Sequence, residues 1–299
     1  MLDYAALSAL AAVVREGSFE RAARALNVTP SAISQRIRLL EERMGGALVV
    51  RAQPCRATEL GLRLCQHIDR VRLLEQELRE ALPALAPEGP VRVTLPVAVN
   101  ADSLATWFAP ALAAFAAEAP VLMDVAVDDQ DHTGEWLRSG RVLAAVTAVA
   151  RPVVGCNSRP LGAMRYRAVA SPGFLACHFP GGVDAASLAR APSLLFNSKD
   201  ELQARWANRR CHRHVELPHH RLPSPQAFVT AALAGMGWGL HPEALIATHL
   251  ESGALLELVP GTPLDVPLHW QYARSASSLL EALTQRIVAA AKASLIALP

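Results

Sequence analysis

The chain has 299 residues, of which 52% are hydrophobic and 19% charged, with a formal net charge of +2. Its length allows two or three domains with ample core, and no apolar run is long enough to span a bilayer. Five scattered cysteines without a C-x-x-C pair argue against a disulfide framework and fit a cytoplasmic protein, and so small a charge does not by itself announce nucleic acid.

Residues 5–14 are apolar enough to suggest a secretory leader, but Asp3 precedes them and no basic stretch does. They read better as a first helix carrying Tyr4, Leu7, Leu10, Ala11 and Val14 on one side. Ser18 then N-caps a second helix whose inner face is Phe19, Ala22, Ala23 and Leu26. Asn27-Val28 makes a turn, since asparagine tolerates left-handed backbone angles. Thr29 caps a third helix with Pro30 in its first position, where a missing N–H costs nothing.

In that third helix Ile33, Ile37, Leu40 and Met44 form one apolar stripe. Ser31, Gln35 and Arg38 lie opposite, with Ser34 at the edge and Arg36 beside them. Caps, turn and faces together predict a helix-turn-helix, whose second helix enters the DNA major groove. Gly45-Gly46 ends this helix. Residues 47–57 then predict strand, loop and return, a wing with Arg51 and Arg56 placed for phosphates.

Thr58 opens a long helix in which Leu60, Leu64, Ile68, Val71, Leu74, Leu78 and Leu82 recur every three or four residues. That spacing predicts the seam of a paired helix, with Leu64, Ile68, Val71, Leu74 and Leu78 as dimerisation residues. Pro83, Pro87, Gly89 and Pro90 break it and predict a hinge.

Beyond the hinge, strands and helices alternate. Strands are expected at 91–97, 121–127, 142–149, 166–170, 193–196, 215–217, 237–240, 255–259 and 268–272. Helices are expected at 103–117, 131–139, 185–190, 199–207, 224–235 and 275–296. Such alternation predicts parallel sheets with ligands at the strand C-termini. The fold class is α/β, and the domains are 1–58, a linker at 59–90, and 91–299 as two lobes (91–161 plus 266–299, and 162–265).

Several residues stand where a ligand would meet that architecture. Asn100 and Ser103 lie at a strand-to-helix junction, Asp128 and Asp129 follow the second strand, and Thr147 ends the third. Phe196 and Trp238 come from the second half as apolar walls. The tract of Cys211, His212, His214, His219 and His220 fits no strong metal spacing and is read as loop and strand histidines. No catalytic fingerprint occurs: no G-x-S-x-G, P-loop or H-E-x-x-H. Gly235-Met236-Gly237-Trp238-Gly239 follows a helix instead of opening one, so it is read as close backbone packing. Catalytic residues, metal and cofactor are therefore expected to be none.

These residues carry a family resemblance. Leu10-Ala11-Ala12-Val13-Val14, Gly17-Ser18-Phe19, Ala22-Ala23-Arg24-Ala25-Leu26, Ser31-Ala32-Ile33-Ser34-Gln35 and Thr58-Glu59-Leu60-Gly61 resemble the DNA-binding domain of LysR-type transcriptional regulators. The two-lobed remainder is similar to their effector domain, itself like periplasmic binding proteins. Asn100–Trp107, Asp128–Thr133, Phe196–Gln203 and Leu268–Gln271 resemble the ArgP/LysG branch. The resemblance implies a homodimer or tetramer on double-stranded DNA that senses lysine or arginine and controls a basic-amino-acid exporter gene. RNA polymerase is a candidate further partner. The competing readings are a regulator for a different small effector, or an α/β binding protein or enzyme with an accessory DNA-binding domain.

Overall fold

The computed structural model describes residues 2–82, 93–128, 133–138, 141–274 and 277–298. The expected hinge prolines, together with Asp129 and Asp131, lie outside these residues.

The N-terminal region is built by local signals. Helix α1 (Tyr4–Glu16) is capped by Asp3, whose carboxylate accepts from the backbone N–H groups of Ala5 and Ala6. Helix α2 (Phe19–Ala25) starts on Ser18, which accepts from Arg21 N–H, and α3 (Pro30–Met44) on Thr29, which accepts from Ala32 N–H. Each cap satisfies a donor that the first helical turn leaves unpaired. Asn27 takes a φ of 52° in the turn between them. Leu7, Leu10, Ala22, Ile33, Ile37 and Leu40 are almost fully buried in one small core.

The wing consists of β1 (Val49–Val50) and β2 (Arg56–Ala57), paired antiparallel. Glu41 ties it to α3 by accepting from the backbone N–H groups of Leu48, at 2.8 Å, and Val49. Helix α4 (Glu59–Ala81) follows, capped by Thr58. At Gly61 a Cβ would lie 2.1 Å from the Leu48 carbonyl oxygen, so only glycine lets α4 press against the wing.

The α4 seam divides in two. Ile68 is 3% exposed and belongs to the N-terminal core, with Leu64 packed half-buried beside it. Ile68 is therefore covered by its own domain, because the first half of α4 lies on α1, and it is not the middle of an open seam. Val71 is half-buried, whereas Leu74 and Leu78 are each 50% exposed.

The second region is organised on one sheet. Strands β3 (Val93–Asn100), β4 (Val121–Asp128) and β5 (Ala144–Thr147) run parallel, with β3 between the other two. Between β3 and β4 the chain forms one helical segment: α5 (Ala101–Ser103), a π-helical turn at Leu104–Phe108, and α6 (Ala109–Glu118). Helix α7 (Thr133–Arg138) precedes β5. Strand β6 (Cys156–Ala170) is fifteen residues long and contains at its end the short strand expected at 166–170.

Helices α8 (Pro172–His178) and α9 (Ala185–Leu188) lead to β7 (Ser193–Leu195), and α10 (Leu202–Cys211) to β8 (His219–Arg221). Helix α11 (Pro225–Leu233) precedes β9 (Gly239–Pro242), and α12 (Glu243–Glu251) precedes β10 (Leu256–Glu257). Strand β11 (Leu264–Ala273) and α13 (Ser278–Ser294) close the chain.

Here the parallel-sheet expectation is only partly met. Strand β11 pairs antiparallel with β6 along its whole length, from Leu264 opposite Tyr166 to Ala273 opposite Cys156, and with β5 on its other edge. Strands β9 and β10 also join β6 antiparallel, and only β7 and β8 form a separate parallel pair. The expected strand at 215–217 is replaced by β8, which uses His219, His220 and Arg221. No helix among the described residues is long and apolar enough to cross a membrane.

Candidate functional site

Two surfaces carry chemistry. On α3, the buried stripe fixes the helix by Ile33, Ile37 and Leu40 and leaves Ser31, Gln35 and Arg38 exposed, with Ser34 and Arg36 half-buried at the margin. Arg38 ion-pairs with Glu42 one turn on, Nε to Oε1 at 2.9 Å, and its side chain is 76% exposed. Arg51 stacks its guanidinium 5.2 Å from the Phe19 ring centre, and Arg56 stands exposed on β2. The wing arginines thus flank a helix whose outer face offers hydroxyl, amide and guanidinium groups, the donors and acceptors that read base edges and phosphates.

The second surface is a cleft at the C-terminal ends of β3 and β4. Asn100, Ala101, Asp102 and Asp128 form one wall, and Phe196, Asp200, Phe228, Leu240 and His241 are among those forming the other. The cleft is narrow, with ≈ 30 Å³ of free space between its walls.

Three carboxylates meet there. Asp102 accepts from the Tyr166 hydroxyl at 2.8 Å, which tethers the start of the helical segment to β6. Asp128 accepts from Trp136 Nε1 at 3.0 Å and faces the Lys199 ammonium at 3.5 Å. Asp200 accepts from the backbone N–H groups of Phe196 and Leu202, and burial nevertheless raises its pKa above the usual carboxylate value. His241 is 1% exposed, and desolvation lowers its pKa to about 4, so its imidazole is neutral at pH 7. No lysine or arginine is part of the cleft walls among the described residues; Lys199 reaches in from the rim.

The structure brings Asn100, Asp128 and Phe196 into one cleft, as the spacing suggests, but not all their expected companions. Ser103 and Thr147 are fully buried and lie outside the lining, and the Thr147 hydroxyl accepts from Val149 N–H. Trp238 is fully buried too, its ring 5.5 Å from that of Trp206. It is a core residue and not a cleft wall, because a Cβ at Gly237 would meet the Pro192 carbonyl and Leu194 at 3.0 Å, which draws this stretch inside. Asp102, Asp200, Phe228 and His241 are further lining residues that sequence spacing does not single out. The one signal available for them was the strand-end rule, which reaches Asp102 from β3 and His241 from β9.

Comparison with known proteins covers both regions of the chain. Residues 4–62 match the family described as "Bacterial regulatory helix-turn-helix protein, lysR family", and residues 86–295 the LysR substrate binding domain. The HTH-type transcriptional regulator ArgP of Pseudomonas aeruginosa is 47% identical over 298 residues, covering 99% of this chain and 98% of that protein. LysG of Mycobacterium tuberculosis is 44% identical over 290 residues, covering 97% of this chain and 94% of that protein.

Among solved structures, ArgP from Mycobacterium tuberculosis superimposes with a TM-score of 0.83 at 42% identity, all of both chains being covered. Full-length LysG from Corynebacterium glutamicum with bound effector Arg gives 0.72 at 36% identity, covering 99% of this chain and 100% of that one. A helix-turn-helix with an exposed polar face, joined to a cleft-bearing α/β region, has the same two parts as these proteins: the chain belongs to the LysR family of ligand-responsive, DNA-binding transcriptional regulators.

Proposed function

We propose that this regulator senses arginine or lysine and, as a homodimer or tetramer on operator DNA in the cytoplasm, controls a basic-amino-acid exporter gene. The observation that carries the effector reading is the convergence of Asp102, Asp128 and Asp200 on one cleft whose lining, among the described residues, includes no lysine or arginine, Lys199 reaching in from the rim. Such a site favours a cationic ligand, and Asp128 is the residue best placed to receive its charge. The relative solved with bound Arg supports the same class of ligand. Phe196 covers the aliphatic stem, and the α-carboxylate meets Asn100 and the N–H groups that open the helical segment at Ala101. His241, neutral at pH 7, adds no competing charge. Asp129 remains a candidate second carboxylate.

On the DNA side, Ser31, Ser34, Gln35 and Arg38 read base edges while Arg36, Arg51 and Arg56 hold phosphates. Leu74 and Leu78 form the exposed end of the dimer seam, with Val71 at its margin. The two lobes meet along the β6–β11 ribbon, where the divisions at 161/162 and 265/266 fall. RNA polymerase is a partner if the regulator activates transcription.

A thermal-shift screen of the twenty amino acids tests the reading. Lysine or arginine should raise the melting temperature selectively, since a ligand at 100 times its dissociation constant adds ~2.7 kcal/mol. A response to acidic or aromatic amino acids alone would point to a different effector class.

A further inference from the structure

The Lys199 ammonium stands 3.5 Å from Asp128 Oδ1, across the cleft. Asp128 ends β4 on one wall. Lys199 lies at the rim of the other, in the loop between β7 and α10. The contact therefore joins the two walls, and it places a primary ammonium, the same group that ends a free lysine, on the carboxylate assigned to the effector's charge. We infer that Lys199 is a tethered competitor: it occupies the cation position of the cleft until arginine or lysine displaces it, and so raises the effector concentration needed for a response. The inference rests on the basic-amino-acid reading of the cleft.

The two partners are held very differently. One oxygen of Asp128 is fixed by the Trp136 indole N–H, so the carboxylate keeps its orientation whichever cation it meets. The loop backbone is equally fixed: Asp200 accepts from Phe196 and Leu202 N–H, and Asn197 Oδ1 accepts from Lys199 N–H at 2.7 Å. The lysine side chain itself is 44% exposed, and Asp128 is its one ion-pair partner among the described residues. A separation of 3.5 Å is long for a charge-assisted hydrogen bond, which normally closes to about 2.8 Å. The anion is rigid, the loop presents the lysine, and the ammonium is free to leave.

Magnitudes fit a tuning role. A half-exposed pair of this kind is weak, so a ligand making several contacts in the cleft displaces it. While it persists, the apparent dissociation constant is the intrinsic one divided by the fraction of molecules in which Lys199 is off the carboxylate. That corresponds to roughly two- to fivefold, enough to set a threshold and too little to block the site.

Calorimetric titration of L-arginine and L-lysine into the full-length protein tests this with five chains: wild type, Lys199→Gln, Lys199→Arg, Asp128→Asn and the Lys199→Gln/Asp128→Asn double variant. Lys199→Gln should bind both amino acids about two- to fivefold more tightly than wild type, and Lys199→Arg should stay near wild type. In the Asp128→Asn background the Lys199→Gln change should have no effect, because the contested carboxylate charge is gone. Melting temperatures of the ligand-free proteins confirm that all are folded. Weaker or unchanged binding by Lys199→Gln, with Asp128→Asn still weakened, overturns the competitor alone and makes Lys199 an effector contact or an inert rim residue. Unaltered binding by Asp128→Asn, or no binding by wild type, removes the cation position itself and the competitor with it.

Discussion

The DNA-binding region and the effector region of this chain differ in how far apart the residues lie that decide each structure. In the first, Ser18, Thr29 and Thr58 each start a helix by accepting a hydrogen bond from a residue three positions on. In the second, the central pairing is between β6 and β11, whose partners Tyr166 and Leu264 lie almost a hundred residues apart. A local rule settles the first region; only the assembled sheet settles the second. The proposed function divides in the same way, with DNA assigned to one helix face and the effector to residues gathered from distant strand ends.

Substitutions along α4 give the largest test of that division. Ile68→Asp would bury an unpaired charge in the N-terminal core, costing several kcal/mol, and should unfold that region. Leu74→Asp alters a side chain that is 50% exposed in the protomer, so the fold should survive while the dimer and operator affinity are lost. Circular dichroism and light scattering distinguish the two; a dimeric Leu74→Asp protein would remove Leu74 from the seam.

Acid should act on the effector region through His241. Its folded pKa of about 4 lies below the ordinary value of 6.5. Between these values the unfolded chain binds a proton that the folded one does not, so stability falls as pH drops from 6.5 towards 4. At ~1.4 kcal/mol per pKa unit the loss reaches about 3 kcal/mol. Denaturant melts across that window should lose one proton's worth of slope in His241→Gln. An unchanged slope would show that the imidazole is not held neutral by burial.

A smaller effect is expected on α3. Gln35→Ala should reduce discrimination between operator and scrambled DNA by ~1–3 kcal/mol, whereas Arg56→Ala should weaken both duplexes alike and flatten the salt dependence. Competition binding measures this directly. Equal losses on both duplexes for Gln35→Ala would take it out of the base-reading set.

Legibility followed the same boundary. Helices α1 to α4 are readable from caps and apolar spacing, and the wing from its glycines and the return to Thr58. In the sheet, only the most apolar stretches of β6 and β11 carry a strand signal. Asn157, Ser158, Arg159, Pro160 and Gly162 have weak strand propensity, and pairing with β11 makes them a strand regardless. The histidines of β8 are strand residues for a similar reason, through pairing with β7. Within the cleft, Asp128 and Phe196 are found by the strand-end rule, whereas Asp200 is recognisable only when α10 and the loop before it are folded. Trp238 misleads because an aromatic beside the expected cleft reads as one of its walls, yet the close packing at its flanking glycines takes the ring into the core.

The central claim is that Asp128 in the effector cleft receives the positive charge of a basic amino acid. Its most direct test is the affinity of Asp128→Asn for arginine and lysine, measured by calorimetric titration against wild type. A charge-assisted hydrogen bond is worth ~1.5–3 kcal/mol, so the variant should bind both about 10- to 150-fold more weakly while keeping its melting temperature. Affinities equal to those of wild type would contradict the account and assign the cation to other residues.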